Sequence, residues 1–188
     1  MMTKEIAVFL DRDGTINEEM GYINHVSRFV LLPRSAAAIK LLNDAGLKVV
    51  MITNQSGAAR GYFPPSLVEE VHTHLQNLLA ASGARLDDIF VCPHLPQDNC
   101  SCRKPKPGLI LQAAAKHHLD LSRSYSVGDR HKDILTGAQT GMKGILVLTG
   151  YGRGEYEHFA PTWDVRPVHV AADLLDAAEW IIKDLDKA

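Results

Sequence analysis

Two aspartates placed two positions apart are the residues of this sequence whose types and spacing suggest chemistry most directly. Asp11 and Asp13 lie in the run DRDGT, at positions 11–15, after the apolar segment 6–10. Because alternate side chains of an extended chain project to the same side, both carboxylates should face one site. With Asp129 as a third carboxylate, they offer the oxygen ligands that suit Mg²⁺ carrying a phosphate group. A turn closed by an Asx hydrogen bond is the alternative interpretation of the run.

A second polar run, TNQSG at positions 53–57, offers groups that bind phosphate oxygens. The Thr53 hydroxyl and the main-chain N–H groups after it can donate hydrogen bonds to such oxygens. Lys104 can neutralise the charge of a phosphate, which a carboxylate nucleophile requires before it can attack phosphorus. Together with the aspartates, these residues favour phosphoryl transfer. The run by itself is also typical of a turn that ends a strand.

Three cysteines and one histidine form a cluster of metal-ligating residue types within eleven positions. They are Cys92, His94, Cys100 and Cys102. The combination Cys₃His is typical of a closed, structural Zn²⁺ site. The residues between them predict neither a helix nor an apolar face, so a metal would have to order this zinc loop, residues 92–102. Arg103 and Lys104 follow directly, and the zinc loop would therefore fix the position of both cations. The alternative is that the cysteines are small buried apolar residues.

These chemical residues need a scaffold, and the sequence predicts an α/β fold for it. Short apolar runs alternate with longer amphipathic runs, which is typical of βαβ units and a Rossmann-like parallel sheet sandwiched by helices. Strands are predicted over 6–10, 47–53, 89–92, 124–127 and 145–148, and helices over 35–45, 66–82, 109–118, 132–140 and 171–185. The glycine-rich run 150–154 is interpreted as a mobile loop. The polar clusters follow the first four strands, so they should converge at the carboxyl edge of the sheet.

Length and composition limit the remaining possibilities. The 188 residues, 46% of them hydrophobic, predict a single domain over 1–188. A formal net charge of −2 gives no reason to expect a nucleic-acid partner and favours a small ligand. No apolar run has the length of a membrane span or the position of a signal sequence, so we expect a cytoplasmic protein with no membrane partner. Three cysteines fit a metal site better than a disulfide framework.

The ordered motifs DRDGT (11–15), Thr53, Lys104 and Gly128-Asp129 resemble those of the haloacid dehalogenase-type phosphatase superfamily. The resemblance implies that Asp11 is the nucleophile that becomes an aspartyl phosphate and that Asp13 is the general acid and base. It implies that Thr53 and Lys104 bind the phosphoryl group, and that Mg²⁺ is held by Asp11, the Asp13 main-chain carbonyl and Asp129. Because the positions where this superfamily inserts cap domains are short here, a capless member is expected.

The motif CPH at 92–94, followed by CxCRKPxPG from position 100, is more specific. It is similar to the D-glycero-D-manno-heptose 1,7-bisphosphate 7-phosphatases and to the related histidinol-phosphate phosphatases. We favour the heptose family because the chain is a stand-alone domain and its segments 21–22 and 54–61 resemble that family. This implies removal of the 7-phosphate in the synthesis of heptose nucleotide precursors of the lipopolysaccharide core. A phosphorylated sugar is then the partner, and a monomer is expected.

The same resemblance implies a set of substrate contacts. They are Glu19, Met20, Gly21, Tyr22, Asn54, Gln55, Ser56, Arg103 and Arg130. Two of them depart from the heptose pattern, because Glu19 stands where Asp is expected and Arg130 where Lys is expected; both keep the charge but change the reach.

Several alternatives stay open at this point. The chain could be a histidinol-phosphate phosphatase, or a non-catalytic binding module stabilised by zinc. Asp133, four positions after Asp129, could support Lys104 or a metal-bound water, or it could simply favour the start of a helix. His72 and His74 lie within a predicted helix and are interpreted as structural residues.

Overall fold

Six parallel strands form the centre of the fold, as seen in a computed structural model that describes residues 4–187. The strands are β1 (Ala7–Leu10), β2 (Lys48–Asn54), β3 (Asp88–Cys92), β4 (Tyr125–Gly128), β5 (Lys143–Val147) and β6 (His169–Ala171). Their order across the sheet is β3-β2-β1-β4-β5-β6. The chain therefore builds outward from β1 in one direction and from β4 in the other. Ligands of such sheets bind at the carboxyl ends of the strands beside this reversal.

Six α-helices within residues 4–187 cover the two faces of the sheet. They are α1 (Ser35–Asp44), α2 (Ser66–Ala81), α3 (Gly108–His117), α4 (His131–Ala138), α5 (Gly152–Phe159) and α6 (Leu174–Leu185). Val8 and Leu10 of β1 pack with α1, α2 and α6 in one core, whereas Ala7 and Phe9 pack with α3 in a second core. All four β1 residues are fully buried. A strand buried on both faces reads as a continuous apolar run, which is why the sequence predicts β1 well.

The predicted α/β class is confirmed, with two corrections near the C-terminus. The run 150–154 is not a mobile loop, because α5 begins at Gly152. This helix is polar and contains two glycines, so neither periodicity nor propensity indicates it. Residues 169–171 form β6, and the last helix begins at Leu174 rather than at 171. Asp173 fixes that start, since its Oδ1 accepts hydrogen bonds of 3.0 Å from the main-chain N–H groups of Leu175 and Asp176.

The two segments at which the resemblance places cap domains are short and irregular. Between β1 and α1 the chain forms only one 3₁₀ turn, Val26–Arg28, and between β3 and α3 only Pro96–Asp98. The carboxyl edge of the sheet is therefore covered by loops alone in the described chain. None of the helices within residues 4–187 combines the length and apolar character needed to cross a membrane.

Candidate active site

A cavity of about 240 Å³ opens at the carboxyl ends of β1, β2 and β4, where the sequence places its polar clusters. Its lining joins residues from the carboxyl ends of five strands, β1 to β5, and from the segments that follow them. The residues that line it are Asp11, Asp13, Glu19, Gly21, Tyr22, Thr53, Asn54, Ser56, Arg103, Lys104, Asp129, Arg130, Lys132 and Tyr151. Convergence of these segments is the expected result of parallel strands whose carboxyl ends share one edge.

Asp11 continues the line of β1 by one residue, because its main-chain N–H donates to Val127 O of β4 at 3.0 Å. Its side chain forms an ion pair with Lys104, whose Nζ lies 2.7 Å from Asp11 Oδ1 and 2.7 Å from Asp133 Oδ1. Burial disfavours the charge of Lys104, but the two carboxylates outweigh it and raise its pKa. Lys104 is therefore a fixed positive charge at the floor of the cavity.

Asp133 has both of the functions that the sequence leaves open. One carboxylate oxygen pairs with Lys104, and the other accepts a hydrogen bond of 3.1 Å from the Arg130 main-chain N–H at the start of α4. The residue is 3% exposed. It therefore caps the helix and supports the cavity lysine at the same time.

Three buried carboxylates gather around this lysine, and their chemistry fits a divalent cation. Asp11, Asp129 and Asp133 each place an oxygen within 4.8 Å of those of the others. Burial, followed by the charges of Asp11 and Asp133, raises the pKa of Asp129 to about 8. Such crowding leaves negative charge that Lys104 alone does not balance, and hard oxygen ligands are those that Mg²⁺ prefers. Asp11 and Asp129 line the cavity, whereas Asp133 lies outside its lining and is bound to the start of α4. Asp11 and Asp129 are therefore the side chains that would hold Mg²⁺.

Asp13 is held by hydrogen bonds on both carboxylate oxygens. Arg12 donates to both oxygens, Asn17 Nδ2 donates to Oδ1 at 3.0 Å, and Gln55 Nε2 donates to Oδ2 at 2.8 Å. Burial would raise the pKa of Asp13, but the Arg12 charge and these donors outweigh it and lower the pKa. The carboxylate therefore has one defined orientation beside the cavity.

Some residues at the end of β2 and after it face the cavity, and others hold Lys104 and Asp13 in position. Thr53 Oγ1 accepts a hydrogen bond of 2.9 Å from Gln55 Nε2, so its own hydrogen is free to donate into the cavity. Asn54 binds the Lys104 main chain twice, accepting from its N–H at 3.1 Å and donating to its carbonyl at 3.2 Å. Asn54 and Gln55 therefore fix Lys104, Thr53 and Asp13 in place.

The predicted zinc ligands meet in one cluster. The sulfur of Cys102 lies 3.0 Å from that of Cys92 and 3.4 Å from that of Cys100, and His94 Nδ1 lies 3.2 Å from it. All three cysteines are free, and their separations are far above the roughly 2.05 Å of a disulfide. A tetrahedral Zn²⁺ with bonds of about 2.3 Å to sulfur holds sulfurs about 3.8 Å apart, so the three sulfurs need to separate by less than about 1 Å to accept it. The donor set and its closeness therefore fit structural zinc.

The zinc loop also positions a cation of the cavity, as the sequence suggests. Arg103 Nη1 donates to the main-chain carbonyl of His94 at 3.0 Å. Lys106 Nζ ties the other end of the loop, donating to the carbonyls of Asn99 at 3.1 Å and Cys100 at 2.9 Å. The loop conformation and the position of Arg103 are thus directly connected.

Most of the predicted substrate contacts line the cavity, with two exceptions. Met20 packs against the core that contains α1 and α2, and Gln55 is turned toward Asp13 and Thr53. Glu19 lies at the rim, where its Oε1 accepts a hydrogen bond of 2.7 Å from Gly21 N. Burial, and then the nearby Asp13 and Asp11, raise the pKa of Glu19.

The aromatic and cationic residues of the rim include some that the sequence does not single out. Tyr22 packs edge-on against Tyr62, with ring centroids 4.8 Å apart. The Arg130 guanidinium lies 3.7 Å from the centre of the Tyr151 ring. Tyr151 and Lys132 both line the cavity. Tyr151 belongs to the glycine-rich run that was interpreted as a loop, and Lys132 is followed in the sequence by the more conspicuous Asp133.

The sequence does not indicate the contacts that Arg12, Asn17 and His72 make at this site. Arg12 lies inside the DRDGT run, and a cation between two carboxylates in the sequence is the signal that would have indicated an ion pair. Asn17 is four positions from Asp13, but nothing in the spacing predicts that the chain turns back there. His72 lies 60 positions from Arg12, and its predicted structural role gives no indication of that contact.

Comparison with known proteins gives consistent results. The model of the HAD-hydrolase-like family matches residues 101–177. A D-glycero-D-manno-heptose-1,7-bisphosphate 7-phosphatase of Thermosynechococcus vestitus is 43% identical, over 95% of this chain and 96% of that protein. A D-glycero-beta-D-manno-heptose-1,7-bisphosphate 7-phosphatase of Helicobacter pylori is 43% identical over 79% of this chain and 86% of its own length.

A solved structure gives the same result at the level of the fold. The D,D-heptose 1,7-bisphosphate phosphatase of B. bronchiseptica, crystallised with magnesium and phosphate, superposes with a TM-score of 0.87 at 36% identity. The alignment covers 97% of this chain and 99% of that chain. The similarity of the fold thus extends over nearly the whole chain.

Proposed function

Because the chain belongs to the heptose bisphosphate phosphatase family of haloacid dehalogenase-like hydrolases, we propose that it removes the 7-phosphate of D-glycero-D-manno-heptose 1,7-bisphosphate. The protein is a phosphoric monoester hydrolase by this membership. The single observation that supports the reaction best is the buried ion pair of Asp11 with Lys104, 2.7 Å long, at the floor of the cavity. It places a carboxylate nucleophile beside the cation that a phosphate monoester needs.

The reaction has two steps, the transfer of the phosphoryl group to Asp11 and its hydrolysis by water, and the residues of the cavity have complementary functions in them. Asp13 is ionised in the free site and takes up a proton when the negative phosphate binds beside it. Asp11 then attacks phosphorus while Asp13 gives this proton to the departing sugar oxygen. Asp13 then takes a proton from water, the water oxygen attacks the aspartyl phosphate, and Asp11 is released with inorganic phosphate. Lys104 and the Thr53 hydroxyl bind phosphoryl oxygens throughout. Mg²⁺, when bound by Asp11 and Asp129, offsets the charge of the phosphoryl group.

The 7-phosphate is an ester of a primary alcohol, whose alkoxide is a poor leaving group. Protonation by a positioned acid is therefore important, and Asp13 is the carboxyl beside Asp11 that lines the cavity. The second phosphate of the substrate requires cations at some distance from the reacting one. Arg103, Arg130 and Lys132 line the cavity and can provide them. Polar contacts of this kind select substrates more strongly than apolar ones.

We also propose that the protein acts as a monomer in the cytoplasm, without a nucleic-acid or membrane partner, and that its reaction belongs to the synthesis of heptose precursors of lipopolysaccharide. The net charge of −2 supports the absence of a polyanionic partner. Sedimentation at several protein concentrations tests the monomer, and a concentration-dependent increase in mass would contradict it.

A phosphate-release assay tests the proposed function directly. The purified protein with Mg²⁺ is given the heptose bisphosphate, histidinol phosphate and fructose 1,6-bisphosphate, and kcat/KM is measured for each. The heptose bisphosphate should be preferred by at least about tenfold, because histidinol phosphate lacks the second phosphate and fructose 1,6-bisphosphate presents its hydroxyl groups and second phosphate in a different arrangement. A preference for histidinol phosphate would show that the protein is a histidinol-phosphate phosphatase instead. If none of the esters is hydrolysed, the result supports the non-catalytic binding module stabilised by zinc.

A further inference from the structure

Arg12 is a buried cation whose guanidinium has two partners on different elements. The residue is 2% exposed. Its Nε lies 3.1 Å from Asp13 Oδ1, and its Nη2 lies 2.9 Å from both Asp13 oxygens. Its remaining arm, Nη1, lies 3.2 Å from Nε2 of His72 in α2. The guanidinium therefore connects the Asp13 carboxylate to a side chain of a packed helix.

The direction of the contact between Arg12 and His72 follows from chemistry. A guanidinium only donates hydrogen bonds, so Nε2 of His72 must be the acceptor and the ring must be neutral. His72 is 7% exposed. Burial, and then the Arg12 charge, lower the pKa of His72 to about 4, which agrees with a neutral ring at physiological pH. The contact is then a charge-assisted hydrogen bond in a site with little water.

We infer that His72 is a positioning residue, which holds the Arg12 guanidinium so that Asp13 keeps the orientation required for proton transfer. Arg12 alone contacts both oxygens of Asp13, whereas Asn17 and Gln55 each contact one. A planar guanidinium fixes a carboxylate only if the guanidinium itself cannot rotate. His72 supplies the anchor on the side away from Asp13, and its helix is held by the buried side chains of Leu67, Val71, Leu75 and Leu79.

This inference rests on the proposed function, because it assigns a purpose to the orientation of the proposed acid. Loss of the anchor should therefore affect the step in which Asp13 protonates the leaving oxygen, and should affect substrate binding little. That pattern differs from general structural damage. An ester with a good leaving group, such as p-nitrophenyl phosphate, needs little protonation and acts as the internal reference.

The test compares His72→Leu and His72→Phe with His72→Gln. Leu and Phe fill the space without an acceptor, whereas the Gln amide oxygen can accept from Arg12 Nη1 near the position of Nε2. His74→Leu is the matched control, since His74 lies on the same helix with its ring against Phe29, at 6.0 Å between centroids. Thermal unfolding of each variant verifies that it folds. If either His72→Leu or His72→Phe fails to fold, the other apolar variant still serves for the test.

We expect His72→Leu and His72→Phe to lower kcat for the heptose bisphosphate about tenfold, within the range known for supporting residues. KM should change by less than about twofold, and the loss with p-nitrophenyl phosphate should be several times smaller. His72→Gln should regain most of the lost kcat, and His74→Leu should resemble the wild type. If the wild type rejects the heptose ester, the alkyl phosphate that it hydrolyses fastest replaces it.

Asp13→Ala, measured with the same two esters, separates the inference from the proposed function. If Asp13→Ala shows the leaving-group pattern but the apolar His72 variants lose both activities equally, or lose neither, the positioning role is overturned while the function stands. If Asp13→Ala itself shows no leaving-group pattern, the proposed acid is wrong and the role of His72 fails with it.

Discussion

Gly14 and Asp129 are in such close contact that a methyl group on Gly14 would overlap the Asp129 carboxylate. Gly14 has a φ of +79° and lies at the turn of the DRDGT run. Asp129 enters this space from the loop after β4 and accepts a hydrogen bond of 2.8 Å from Tyr151 N. The absence of a side chain at position 14 therefore allows the Asp129 carboxylate to lie beside those of Asp11 and Asp133.

Gly14→Ala should displace Asp129 and weaken Mg²⁺ binding by about 10–100-fold. Gly141→Ala is the matched control, because Gly141 has a φ of +80° with open space around its missing Cβ. Both variants should lose about 1–2 kcal/mol of stability through the left-handed backbone. Mg²⁺ titration by calorimetry and thermal unfolding measure the two effects, and equal Mg²⁺ affinity in both variants would contradict the proposed role of Asp129.

Asp11→Asn should lower turnover by more than about 10³-fold, since it keeps the shape but removes the nucleophilic charge. It also removes one carboxylate partner of Lys104, so thermal unfolding must establish that the variant folds. Phosphate release with the heptose ester and with p-nitrophenyl phosphate is the measurement. A folded Asp11→Asn protein with near-normal turnover would rule out the aspartyl-phosphate mechanism.

The two functions of Asp133 can be separated by a matched pair of variants. Asp133→Asn keeps an oxygen that accepts from Arg130 N but loses the charge beside Lys104, whereas Asp133→Ala loses both. Both should lower activity about 10–100-fold. Only Asp133→Ala should show the further loss of about 1 kcal/mol that is typical of a missing helix cap. Urea unfolding compares them, and equal stability would show that the cap contributes little.

The contribution of Asp129 and Asp133 to the stability of the metal-free protein should decrease as the pH rises from about 4 to about 8. The pKa of Asp129 is raised to about 8, and burial also raises that of Asp133. A raised pKa means that the folded state binds protons more tightly than the unfolded state, so its contribution is present at low pH and lost as the pH passes the folded pKa.

Mg²⁺ requires the ionised carboxylates, so its affinity should increase over the same pH range by up to about tenfold per pH unit. Thermal unfolding with and without Mg²⁺, at pH values across this range, measures both effects. Asp129→Asn should flatten the pH dependence. If the metal-free wild type and metal-free Asp129→Asn changed stability with pH in the same way, the crowding of the three carboxylates would be contradicted.

Cys100→Ser or Cys102→Ser should release zinc and lower activity and stability together, even with Mg²⁺ in excess. Loss of the metal loosens residues 92–102, and the carbonyl that holds Arg103 moves with them. Metal analysis should find about one zinc per chain in the wild type and markedly less in the variants. Ser101→Ala, between the two ligands, is the control. A zinc-free wild type with full activity and equal heat resistance would refute the structural site.

Features that the sequence predicts and features that it does not predict differ in how far apart the contacting residues lie along the chain. The parallel sheet, the position of the proposed nucleophile Asp11 and the zinc cluster depend on apolar runs and on ligands close in sequence, so the amino-acid sequence by itself determines them. Placement of Thr53, Lys104 and Asp129 at one site also follows, because carboxyl ends of parallel strands meet at one edge.

Other features exist only once the chain is packed. The bond from Arg12 to His72 depends on how α2 lies across the sheet, and the space that Gly14 leaves for Asp129 depends on two distant loops. Asp133 both supports Lys104 and caps α4 because its two oxygens face different elements. The polar helix α5 likewise has no periodic apolar pattern that would predict it. Local propensity carries no information on such contacts, so the tertiary structure alone decides them.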